Sequence, residues 1–122
     1  MRDQKYQIGT KSGSIIWDID LLLSTLDLAN FTIHDLPVDE LLRKNRFNGN
    51  PEAAMLVDLN IPFLIAELLH GKEKLIDGNH RLYKAKALNL STIPCYILPL
   101  HVHQAFIVNF DPVIYTRVAE EF

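Results

Sequence analysis

Apolar positions along this chain change their period from segment to segment, and the changes mark out the elements. Residues Phe63 to Leu69 (FLIAELL) are apolar almost without a break, the pattern of a central strand covered on both faces. His70-Gly71-Lys72 then turns the chain, and Lys74-Leu75-Ile76 returns as a second strand. From Asn79 to Leu90 the period becomes helical, with Leu82, Ala85 and Leu88 on one stripe and Tyr83 and Ala87 beside it. Asn89 stands where a left-handed residue closes such a helix. Pro94 to Leu98 reads as a strand with proline at its start, where no ladder bond is lost. Residues 99–122 read as helical in two pieces. Asp111-Pro112 supplies the cap and first turn of the last one, and Val113, Ile114, Arg117 and Val118 recur at helical spacing.

The first half is less regular. Met1 to Gly13 is polar, with Gly9, Ser12 and Gly13, and reads as a loose leader. Ile15-Ile16-Trp17 is a short strand, after which Asp18 or Asp20 caps a helix through Leu21, Leu22, Leu23 and Leu26. Asn30 to Leu36 alternates like a half-buried strand, with Phe31 and Ile33 inward and Thr32 and His34 outward. Pro37, Asp39 and Glu40 have the chemistry of a helix start running through Leu41 and Leu42. Arg43 to Pro51 is a basic loop broken by Gly49 and Pro51, and Glu52 to Leu59 is a helix stopped by Pro62. The mixture of strands and helices, without repeat, low-complexity tract or linker, predicts one α/β (α+β) domain over residues 14–122.

A chain of 122 residues, 48% hydrophobic and 22% charged, can fill one core without disulfides. Cys95 is the only cysteine, sits in the apolar run Ile93–Leu98, and reads as a core residue rather than a thiol nucleophile. The net charge of −3 argues against a protein that coats DNA through bulk electrostatics, though not against a local basic site. No apolar run is long enough to span a bilayer, and no signal peptide is visible, so a cytoplasmic location is the default expectation.

The chemistry concentrates where the strand Lys74-Leu75-Ile76 runs through Asp77-Gly78 into a helix starting near Asn79. A strand feeding a helix through a tight glycine turn aims free main-chain N–H groups beyond the strand end. Gly78 tolerates positive φ, and Asn79 fits an N-cap. A helix kept only for structure prefers acids in its first turn. This one carries His80, Arg81 and Lys84, and Leu82 rules out a capping box. Each cation at the positive dipole end costs on the order of 0.3–1 kcal/mol, which a bound anion would offset. Arg81 has the fork to grip a phosphate through two hydrogen bonds. The competing reading is a solvated basic turn whose side chains reach nearby carboxylates.

The stretch Leu75-Ile76-Asp77-Gly78-Asn79-His80-Arg81-Leu82-Tyr83-Lys84-Ala85, followed by Leu88, Leu90, Ile93 and Pro94, closely resembles the D-G-x-H-R box of the ParB N-terminal-domain/sulfiredoxin superfamily. Ile33 to Leu42 is similar to that superfamily's opening strand and helix, and Phe63 to Leu69 to the strand beside the box, so the resemblance covers about residues 31–98. It implies a small mixed sheet with flanking helices and a box at a helix start that contacts nucleotide phosphates. Members include partition proteins that hydrolyse CTP, sulfiredoxins that use ATP, a free-serine kinase and proteins described as nucleases. By position, the resemblance implies that Gly78, Asn79, His80 and Arg81 bind the phosphates of a nucleotide such as CTP, ATP or ADP. It makes Asp77 a carboxylate near those phosphates or an associated Mg²⁺, and His80 a proton carrier. Sulfiredoxins carry their reactive cysteine where this chain has Asn79, which argues against sulfinic acid reduction. A partition protein's DNA-reading domain has no counterpart in these 122 residues. The expected activity is phosphate or nucleotide binding with phosphoryl transfer or NTP hydrolysis. Alternatives are a metal-dependent nuclease and a non-catalytic regulator or partner-binding protein.

Other groups carry less. His101 and His103 would share one side of a strand and could hold a metal, although no third ligand is evident. Arg43, Lys44 and Arg46 either close over phosphates or form a solvated loop. Glu52 fits a helix start structurally. Glu67 interrupts an apolar strand, where a carboxylate must be paired or face a cleft, so it joins Arg46 as an additional candidate. No Walker loop, dinucleotide fingerprint or serine nucleophile elbow is present.

Overall fold

The computed structural model describes residues 4–45, 50–56, 59 and 61–122. The elements are β1 (Lys5–Thr10), β2 (Gly13–Asp18), α1 (Ile19–Thr25), β3 (Ile33–Pro37), α2 (Val38–Lys44), α3 (Pro51–Ala54), β4 (Phe63–Glu67), β5 (Glu73–Asp77), α4 (Asn79–Ala87), β6 (Thr92–Leu98), α5 (Leu100–His103) and α6 (Pro112–Glu121). The fold is mixed α+β: a two-stranded sheet β1-β2 and a four-stranded sheet in the order β3-β6-β4-β5. In the larger sheet β4 runs parallel to β6 and antiparallel to β5, while β3 pairs antiparallel with β6 at the edge.

The apolar run of β4 is explained by two cores. Leu64 and Ala66 enter one with Ile8, Ile15, Trp17, Ile76, Leu98 and Val118. Phe63 and Ile65 enter the other with Leu41, Leu75, Leu82, Ala85 and Cys95. A strand buried on both faces has no polar side to alternate with. The β1-β2 hairpin and α6 thus cover one face, and α2 and α4 the other.

Several boundaries differ from the sequence expectation. From Lys5 onward the expected loose leader is strand β1, registered Tyr6 to Trp17 and Ile8 to Ile15. Ile33 is 49% exposed rather than inward, because the face it points to is covered by neither core. Of the helix expected over Glu52–Leu59, the described residues form the single turn Pro51–Ala54, held by Asn50 accepting from the Glu52 and Ala53 N–H groups, and residues 57 and 58 lie outside the described ones. Pro94 lies inside β6, not at its start. The ladder with β4 begins only at Phe63–Cys95, so proline's missing donor falls where β6 has β3 alone as neighbour. Caps are better matched. Asp18 accepts from Leu21 N–H at 3.0 Å, and Asp111 from Val113 and Ile114 N–H at 2.9 and 3.3 Å. Asn89 has φ 58° and closes α4 as expected, with Leu90 N–H reaching Ala85 O at 3.0 Å.

His101 and His103 lie on a helix, α5, where residues two apart face different ways. His101 is exposed and His103 fully buried, so the proposed metal pair does not form. The Trp17 indole N–H donates to His103 Nδ1 at 3.1 Å, which places the ring proton on Nε2, bonded at 2.8 Å to the Glu67 main-chain oxygen. Burial holds the His103 pKa below its ordinary value, against the opposing pull of Glu67. Below about pH 6.5 the unfolded chain therefore takes up a proton that the folded chain refuses, and stability falls as pH drops. His103→Gln keeps one acceptor and one donor but cannot titrate. It is expected to flatten the fall in unfolding free energy between about pH 6.5 and 5, read from urea titrations. An unchanged slope would exclude His103 as its source.

Candidate functional site

β5 delivers Asp77 and Gly78 to the start of α4, as the box pattern requires. Gly78, not Asn79, occupies the N-cap position, with φ 123°. Two observations make glycine obligatory there. That φ lies in the left-handed half of the map, and a Cβ would stand 2.4 Å from Phe63 Cδ2. The first intrahelical bond runs from Leu82 N–H to Gly78 O at 2.7 Å. The N–H groups of Asn79, His80 and Arg81 precede it, no side chain caps the helix, and no acid stands in its first turn.

The four side chains divide. His80 is exposed at the helix start. Asn79 is half-buried, and its side chain bonds the Tyr6 hydroxyl from β1. Arg81 turns inward and is 8% exposed. Its NH2 donates to Asp77 Oδ2 at 2.9 Å, and its NH1 donates to the carbonyl oxygens of Ile61 and, at 3.0 Å, Pro62. Its guanidinium lies 4.9 Å over the Phe63 ring. The guanidinium therefore clamps the segment before β4 to the turn after β5, and its inward position does not suit the phosphate grip expected for it. Asp77 Oδ1 accepts from Gln4 Nε2 at 3.0 Å. Both carboxylate oxygens are thus taken by donors, with a guanidinium directly beside them. The guanidinium beside Asp77 already answers its charge and repels a second cation, which disfavours Asp77 as a Mg²⁺ ligand. Among the described residues no group of three or more His, Cys, Asp or Glu could hold a metal.

The remaining candidates lie elsewhere. Glu67 ends β4 and is exposed, so its carboxylate needs no partner or cleft; its main-chain oxygen is the atom that serves His103. Arg43 and Lys44 form the last turn of α2, with Lys44 3.5 Å from Glu40, and Arg46 lies outside the described residues. Cys95 is buried in the core as expected, and its thiol is pushed up to about 12, first by burial and then by Asp35. A cavity of about 190 Å³ opens between β2 and α6, lined by Ile15, Ile107, Phe110, Ile114 and Tyr115 among others, and includes no residue of the box.

Sequence reasoning missed Tyr6 and Gln4, which reach the box from the supposed leader. The Tyr6-x-Ile8 alternation was the available signal. It also missed the Asp77–Arg81 pair, although an acid four residues before a base across a helix start is a recognisable spacing. No family model, curated protein or solved structure matches this chain. Among the described residues no helix is long and apolar enough to cross a membrane.

Proposed function

We propose that the chain is a phosphate-binding domain of the ParB/sulfiredoxin-like kind. In this reading a phosphate of a nucleotide such as CTP, ATP or ADP sits on the first-turn amides of α4 beside His80. The observation that carries the reading is the start of α4: a glycine N-cap at φ 123°, no side-chain cap, no acid in the first turn, and an imidazole exposed there. Main-chain N–H groups at the positive end of a helix are a natural seat for an anion. Arg81 serves as the residue that holds the turn in shape. The engagement of Asp77 with Gln4 and Arg81 favours binding over a metal-dependent nuclease or phosphotransferase, because the same carboxylate would have to carry the metal.

Calorimetric titration with CTP, ATP and ADP, with and without Mg²⁺, tests the reading. His80→Ala is expected to weaken the best of them at least tenfold, about 1.4 kcal/mol. Its thermal unfolding should match the parent within about 0.5 kcal/mol, since the side chain is exposed. No binding of any of the three, or equal affinity in the variant, would remove it.

A further inference from the structure

We draw no further inference here: the strongest candidate, the cavity of about 190 Å³ between β2 and α6, is walled mainly by apolar residues, the Asp111 carboxylate on its wall already caps α6, and nothing in the structure shows what covers it.

Discussion

Gly78→Ala is expected to destabilise the chain by about 3 kcal/mol, from two costs in sequence. An L-residue forced to positive φ costs about 1–3 kcal/mol, and the backbone there stands at 123°. The new methyl would then lie 2.4 Å from Phe63 Cδ2, with further ring atoms at 3.0 and 3.1 Å. Phe63 is fully buried and packed in the core beneath α4, so its ring cannot swing clear without displacing neighbours, at about another 1–3 kcal/mol. For a domain of this size the fall in melting temperature should be about 10 °C. Gly71→Ala is the control: its φ is also positive, at 74°, but nothing lies within 4 Å of its Cβ position. It should cost only the backbone share, about 1 kcal/mol. Equal losses in both variants would mean that Phe63 yields and that the close approach at the box is not a constraint.

Arg81→Leu is expected to cost about 3–5 kcal/mol, the penalty for removing one partner of a buried ion pair. The Asp77 and Arg81 side chains are 11% and 9% exposed, so the surviving carboxylate keeps little water. The carbonyls of Ile61 and Pro62 lose their donor at the same time. Asp77→Asn together with Arg81→Leu should recover about 1–2 kcal/mol of the loss through the coupling of the pair. Arg81→Lys should recover little, since an ammonium lacks the planar fork that reaches a carboxylate and two carbonyls together. Urea unfolding of the three variants and the parent decides the matter. Arg81→Leu within about 1 kcal/mol of the parent would show that the clamp contributes nothing to the fold.

The sequence was most legible where burial is total or a cap is present. The two-faced run of β4, the stripe of α4 through Leu82 and Ala85, and the Asp111-Pro112 start of α6 all follow from period and capping chemistry. It was least legible in β1, whose apolar positions are only Tyr6 and Ile8 among polar neighbours. It also misled at Ile33, since alternation marks a strand without saying whether other elements cover the face it presents. At the box, the backbone was readable: a glycine that must adopt positive φ, then an uncapped helix. The side chains were less so. A cation at a helix start reads as facing a ligand, and only the fold brings two carbonyls and Asp77 around Arg81 and leaves Lys74 between rings.

Strand β3 leaves one side of the larger sheet open, and its residues decide how safely molecules can crowd together. Ile33 and His34 are exposed there, but Asp35 interrupts the strip at its middle and Pro37 ends it without a donor. Charge and proline on a border strand discourage neighbouring copies from zipping onto the open backbone. The chain thus tolerates an apolar side chain in water at Ile33 because the positions next to it refuse to continue the sheet.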